Sequence, residues 1–539
     1  MVILGIAVYF AVLLILAVPV GRYLHDVFEG GVRWLQPVER LLLRIAGPAA
    51  DGEQDWRGYF RAMLMISVIG TVLTYLALRW QGQSPDLAFN TANSFVTNTN
   101  WQAYSGETLS YFAQIVLMIQ QFISPAIGMA FAIAFIRALV AQRQTLGNFY
   151  RDLVRALIYV FLPLTVVGAV LLVALGVPET FGPAVLAHTL GGALQLIDRG
   201  PVAAFEAIKM IGTNGGGFFN ANSAHPFENP SGLSDILEIL MMSILPTALV
   251  FTFGRYAKSR RQAWVIAGVT LLLYAAGIAT VYGAEAAGNP LLHIVGANWV
   301  GKEVRFGIGD SALFSTATTA YTTGAVNNFH DSLTPLGGLV PMLFMFLNLV
   351  FGGKGSGLVN ILMMVVITVF IAGLMVGRTP EFLGKKIEAK EIRLAVVAML
   401  MHPLLILAPT AFALVHAVGT SAILNSGFHG ISEVIYAYAS AAANNGSAFA
   451  GLGGNTPFYN ITLGVVIVLG RYLSVAAMLA MAGSLASKRI VPASAGTLAT
   501  DSWTFAFVYL GVVMIVAALT FFPALALGPI AEQLAMVVH

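Results

Sequence analysis

Not one of the 539 residues is cysteine. A disulfide framework, a thiolate metal site, a cysteine nucleophile and thiol redox chemistry are therefore all excluded. Charge is almost as scarce: Asp, Glu, Lys and Arg make up 10% of the residues, against a hydrophobic fraction of 58% and a mean hydropathy of +0.81. That balance cannot wrap a polar surface around one core, so the chain belongs in lipid. Catalytic spacings are missing too. The histidines are scattered with no HExxH pair, the stretch Gly352 to Gly357 lacks the GxxxxGK[ST] order of a nucleotide-binding loop, and no aspartate sits in a DKTG phosphorylation motif. The chain is not expected to hydrolyse ATP, and an intramembrane enzyme would have no nucleophile or metal constellation to use. A net charge of +3 gives no reason to expect nucleic acid.

What the chain has instead is apolar length. Runs able to cross a bilayer, which needs roughly 20 residues, begin near Val2, Phe60, Tyr111, Val154, Leu233, Ala263, Leu336, Ile392, Phe458 and Thr504. The first, Val2 to Val20, has no basic stretch ahead of it and Arg22 behind it, the reverse of a cleaved signal peptide, so it reads as a retained helix. Most of the 28 Lys and Arg residues fall in alternate connections: Arg22 to Arg61, Arg137 to Arg155, Arg255 to Arg261, Arg378 to Arg393, and Lys488 with Arg489. Only Arg79, Arg199, Lys209, Lys302 and Arg305 lie in the other set, which predicts a multi-pass protein with both termini extracytoplasmic.

Between Phe60 and Met481 one order recurs: apolar span, extracytoplasmic segment with a polar or glycine-rich end, apolar span, basic loop. The polar ends read TNTNWQ (97–102), TNGGGFFN (213–220), TTGAVNNF (322–329) and NNGSAF (444–449), each after a short segment of half-helix length. Aligned on Asn98, Asn214, Gly324 and Asn445, they fall at nearly even intervals, as four copies around an axis would. Irregular backbone at membrane depth is tolerated only when buried in protein or lining a polar path, so four such loops imply a pore. A dehydrated cation needs a cage of oxygens, which converging main-chain carbonyls supply, and potassium fits best. Glycine allows the positive φ angles and close approach this requires. The negative carboxyl ends of the half-helices would point at the same cavity.

Leu336 to Val376 is about twice the length that a ~30 Å bilayer needs. A break is expected at FGGKGSG (351–357), a re-entrant gating loop with Gly352, Gly353, Lys354, Gly355 and Gly357 under the filter. Arg471, inside VIVLGRYLSV, is a second buried charge and a functional candidate on the path. His330 and Asp331 read as a solvated pair bracing the third loop's rim.

The stretches TNTNWQAYSGE, GTNGGGFFNANSAHPFENP, GAVNNFHDSLTPLGG, FGGKGSG, VGRTPEFLGKKIEAKE and AANNGSAFAGL span most of the chain in order. In them the sequence resembles the family of potassium-binding, channel-like subunits of the bacterial Kdp potassium-transporting ATPase. The resemblance implies an all-α polytopic fold of the superfamily of potassium transporters, with four pseudosymmetric helix–pore loop–helix repeats around a central filter and one extra transmembrane helix at each end. The expected segments are 1–59 (first helix and connection), 60–140, 141–259, 260–390 (with the broken second helix) and 391–488 for the repeats, and 489–539 for the last helix. By resemblance the filter comprises Asn98, Thr99, Asn100, Thr213, Asn214, Gly215, Thr323, Gly324, Asn444, Asn445 and Gly446, with backbone carbonyls binding potassium and Gln102 bracing the first loop. Potassium is the one expected cofactor, with no organic group. The implied partners are a P-type ATPase catalytic subunit that hydrolyses ATP, a one-helix extracytoplasmic-side subunit, a small single-span peptide and membrane lipid, in the bacterial inner membrane. A cysteine often stands in the family where this chain has Thr323, and a glutamate near Asn348. A stand-alone potassium channel or an ion-coupled potassium symporter of the same superfamily is the alternative.

Overall fold

The computed structural model describes residues 2–492 and 497–538, so part of the last expected segment lies outside the described residues. Among the described residues ten helices are long and apolar enough to cross a membrane, making this a multi-pass membrane protein. The chain opens with α1 (Val2–Phe28) and a short α2 (Gln36–Ala46). The first repeat follows as α3 (Trp56–Trp80), the half-helix α4 (Pro85–Val96) and α5 (Tyr111–Val140). The second is α6 (Phe149–Ala174), a two-stranded hairpin β1 (Val185–His188) and β2 (Leu194–Ile197), the half-helix α7 (Val202–Ile211) and α8 (Gly232–Tyr256). The third is α9 (Arg260–Ala286), the half-helix α10 (Gly307–Ala320) and a returning helix in two pieces, α11 (Pro335–Leu347) and α12 (Ser356–Met375). The fourth is α13 (Ala389–Val415), the half-helix α14 (Phe428–Ala443) and α15 (Pro457–Ala486), and α16 (Trp503–Val537) closes the chain.

Local chemistry fixes where these elements start. Ser84-Pro85, Thr334-Pro335 and Thr456-Pro457 each place a hydroxyl cap before a proline at the first helical position, where a missing N–H does no harm and φ is already set. The outer helices are lipid-facing: Met65, Val68, Ile69, Val72, Leu73 and Leu76 line the exposed side of α3. The half-helices are buried despite their polarity, and Asn90, Thr91, Asn93 and Ser94 of α4 are all enclosed. A helix this polar is stable at membrane depth only with protein on every side.

The additional helices dock by close packing. A Cβ added to Gly21 of α1 would lie 2.8 Å from the Ala248 carbonyl of α8, and Tyr9 shares a 2.7 Å hydrogen bond with Ser243. On α16, Phe521 stacks on Phe346 of α11 with ring centres 4.3 Å apart. Lys385, in the turn of β3 (Glu381–Phe382) and β4 (Lys385–Lys386), donates to Ala138, Ala141 and Leu485 carbonyls at 2.6 to 2.8 Å. One ammonium thereby satisfies carbonyls at the C-terminal ends of α5 and α15.

Candidate functional site: four loops closed into a ring

All four half-helices end in the same hydrogen-bonded turn. In the first, the amide of Asn98 donates to the Phe95 carbonyl and that of Thr99 to Ser94. The pairs recur as Thr213 to Met210 with Asn214 to Lys209, Thr322 to Thr319 with Thr323 to Thr318, and Asn444 to Ala441 with Asn445 to Ser440. This is the Schellman termination, which needs a left-handed residue after the helix. Asn98, Thr213, Thr322 and Asn444 occupy it, at φ of 69, 45, 48 and 55°. Two residues on, the backbone turns left-handed again at Asn100, Gly215, Gly324 and Gly446, at φ of 55, 95, 90 and 103°.

This conformation corrects the sequence alignment. Asn98 is equivalent to Thr213, Thr322 and Asn444, while Gly324 matches Gly215 and Gly446 rather than Asn98. Thr322, left out of the expected set, belongs at the start of the third loop. The signal that would have found it was the interval from the half-helix end; matching by side-chain type pulled two loops out of step.

The loops meet in cyclic order. A Cβ on Gly215 would collide with the Thr323 carbonyl, one on Gly324 with that of Asn445, and one on Gly446 with that of Thr99. Side-chain amides stitch these seams and the fourth, between loops one and two. Asn98 Nδ2 donates to the Thr213 carbonyl at 2.8 Å, Asn445 Nδ2 to Thr318 at 3.0 Å, and Asn444 Nδ2 to Thr99 Oγ1 at 2.9 Å. Asn222 joins loops two and three, donating to the Gly215 carbonyl at 2.8 Å and accepting from the Val326 amide at 3.2 Å. Gln102 acts across a seam too: its amide brackets Gly217 of the second loop, accepting from N at 2.9 Å and donating to O at 3.0 Å.

A buried charge cluster stands behind the second loop. Lys209 Nζ lies 2.6 Å from Glu206 and 2.8 Å from Glu228, with all three side chains fully enclosed. Glu228 also accepts from the Phe219 amide at 2.7 Å. Sequence reading counted Lys209 and Lys302 as loop charges. Lys209 lies on α7 instead, and Lys302 is buried 2.6 Å from Glu285. The third rim also differs from expectation. His330 and Asp331 are buried, not solvated, and each faces α14: His330 Nδ1 shares a 2.9 Å bond with the Tyr436 hydroxyl, and Asp331 Oδ1 lies 3.0 Å from His429 Nε2. His429 Nδ1 reaches Glu532 at 2.8 Å. Burial alone would favour the neutral ring, but the two carboxylate hydrogen bonds outweigh it and push the imidazole up to about 10.

Below the ring, α11 stops at Asn348 in a left-handed cap, and α12 starts at Ser356. The segment between is held to the loops above: Gly352 N donates to Ala320 O at 2.8 Å and Lys354 N to Thr213 Oγ1 at 3.3 Å. The Lys354 carbonyl packs on Gly128 of α5, where a Cβ would collide with it and lie 3.0 Å from Arg471 Nη2. Lys354 Nζ is buried with no hydrogen-bond partner, and Arg471 has no ion-pair partner, among the described residues. Beside them is a cavity of about 90 Å³ whose lining includes Asn348, Asn360, His402, Asn444 and Arg471. Asn348 accepts from Thr322 Oγ1 at 3.3 Å, tying the break to the third loop.

The comparisons with known proteins agree with this architecture. Residues 7–534 match the family model described as the potassium-transporting ATPase A subunit. A potassium-transporting ATPase potassium-binding subunit from Alicyclobacillus acidocaldarius is 55% identical, over 98% of this chain and 99% of its own length. Its counterpart from Geobacillus kaustophilus is 51% identical over 97% and 98%, and that from Mesorhizobium japonicum 51% over 99% and 98%. Among solved structures, the potassium transporter TrkH from Vibrio parahaemolyticus covers 78% of this chain and 84% of its own at a TM-score of 0.54 and 15% identity, a likeness of fold alone. The chain belongs to the potassium-transporting ATPase A subunit family.

Proposed function

We propose that this chain is the potassium-binding and translocating subunit of an ATP-driven uptake complex. Potassium is selected from the extracytoplasmic side by the four-loop ring and passed to a P-type ATPase subunit that hydrolyses ATP. The observation that carries the reading is the repeated pair of left-handed residues at the ends of four buried half-helices, closed on one another through glycine-to-carbonyl contacts. Such a ring presents oxygens to a desolvated ion at close quarters and fits its cage to one size. The amides of Thr99, Asn214, Thr323 and Asn445 are occupied by the half-helices, whose carboxyl ends carry negative partial charge, so the ring favours a cation. Names of relatives that share about half the sequence along nearly the full length support potassium as the cargo and a transport role for the chain itself.

In this reading the segment from Gly352 to Gly357 is the gate, Lys354 a positive charge that repels or replaces an ion below the ring, and Arg471 a charge beside the exit. The cavity next to Arg471 is the chamber from which the ion leaves toward the ATPase subunit. A one-helix extracytoplasmic-side subunit and a small single-span peptide complete an assembly in the bacterial inner membrane, with both termini of this chain outside. The test is potassium-stimulated ATP hydrolysis by the complex that co-purifies with the chain. Gly215→Asp pushes a side chain into the Thr323 carbonyl and is expected to raise the half-saturating potassium concentration about tenfold or more, or to admit smaller ions. Unchanged potassium dependence and selectivity would count against the ring as the filter. Potassium conduction in liposomes by the chain alone, without ATP, would favour the channel alternative.

A further inference from the structure

The ring is not fourfold at its outer level. Gly215, Gly324 and Gly446 fill the second left-handed position in three loops, and Asn100 fills it in the first. Asparagine tolerates this backbone better than most residues, but that explains only why asparagine is admissible where glycine is easier. The three glycine seams are closed by direct contact of main chain on main chain. The seam between loops one and two holds a side chain. A Cβ built on Gly216 would lie 2.9 Å from Asn100 Cβ, 3.2 Å from its Nδ2 and 2.9 Å from Phe95 Cζ. The second glycine of the GGG run is therefore the socket for Asn100, whereas Gly215 serves the third loop and Gly217 makes room for the Glu228 carboxylate. Asn100 is 2% exposed, and neither amide atom has a hydrogen-bond partner among the described residues. A buried amide in that condition is strongly disfavoured unless it faces something polar.

We infer that Asn100 is a specificity-determining residue: it wedges open one seam of the ring at its outer end and offers its amide oxygen to an entering monovalent cation. The inference rests on reading the four loops as a potassium filter. Removing the wedge lets loops one and two close like the other seams, so the ring contracts and the larger rubidium ion suffers more than potassium. The wedge and its socket act as a pair: a methyl group at 216 is most harmful while Asn100 occupies the seam, and removing Asn100 leaves only its 2.9 Å approach to Phe95 Cζ.

The experiment titrates ATP hydrolysis by the co-purified complex with KCl and with RbCl for Asn100→Gly, Gly216→Ala, the double variant and Gly215→Asp. Asn100→Gly is expected to raise the ratio of half-saturating rubidium to potassium about fivefold. Gly216→Ala alone is expected to raise half-saturating potassium about tenfold, with the double variant returning to within about threefold of Asn100→Gly. An unchanged ratio, or strictly additive effects of the two substitutions, would overturn the wedge. An unchanged Gly215→Asp would instead overturn the filter reading beneath it. If Asn100→Gly does not assemble, Asn100→Ala keeps the Cβ and removes the amide; it is expected to shift the ratio in the same direction by a smaller factor, and no shift would again overturn the inference.

Discussion

The first and second loops have the same backbone and opposite surroundings. Behind the first are neutral groups: Ser94 Oγ accepts from the Trp101 amide at 2.5 Å, Ser124 Oγ donates to Asn98 Oδ1 at 2.9 Å, and Thr97 Oγ1 shares a 2.9 Å bond with Thr99 Oγ1. Behind the second are Glu206, Lys209 and Glu228, fully enclosed, with Glu238 near them also buried. The Schellman turn needs only main-chain bonds and a left-handed residue, so the loop shape is set without regard to the supporting side chains. Those side chains differ between the first and second repeats while the shape does not.

Substitutions in each surround should separate the two. The largest effect is expected for Lys209→Met, which leaves Glu206 and Glu228 buried without their cation; losing one partner of a buried pair costs about 3–5 kcal/mol. The variant complex should fail to accumulate in membranes, and wild-type yield and thermal stability would show that the cluster does not hold the second loop. Asn98→Ala removes the bond to the Thr213 carbonyl and the partner of Ser124, for about 1–3 kcal/mol. It should lower the thermal midpoint of the purified protein and raise half-saturating potassium together. Ser94→Ala, losing one neutral bond to Trp101 N, should cost about 1 kcal/mol and leave half-saturating potassium nearly unchanged.

A pH-dependent effect belongs to the fourth loop, where His429 joins Asp331 to Glu532. Its imidazole is raised to about 10 in the folded protein, against about 6.5 when unfolded. The stabilisation is therefore fully present below pH ~6.5 and is lost as pH rises toward ~10. A scan of thermal midpoint against pH should show this decline in the wild type and a shallower one in His429→Gln; equal slopes would remove the histidine from the account.

Much of the fold could be read because lipid imposes simple rules. The spans announced themselves by apolar length, and the long seventh run had to break because no bilayer accommodates it; the break falls at Asn348 to Gly355. The register of the loops was harder. Asn98 and Asn214 look alike in sequence, yet φ is 69° at Asn98 while the left-handed turn of the second loop falls on Thr213. Lys209 was misread for a related reason: a lysine beside a polar stretch resembles a loop charge, and its partner Glu228 is far enough along the chain that only the tertiary structure brings them together. The hydrogen bond of His330 to Tyr436 crosses from repeat three to repeat four and left no trace in local pattern.

The paired main-chain bonds of each half-helix end have one more consequence. Thr99, Asn214, Thr323 and Asn445 have their N–H groups tied back to Ser94, Lys209, Thr318 and Ser440. None of the four can swing round to greet a chloride or a phosphate. In the filter proposed above, the choice between positive and negative visitors falls to helix termination, and only the choice among positive ones is left to the ring.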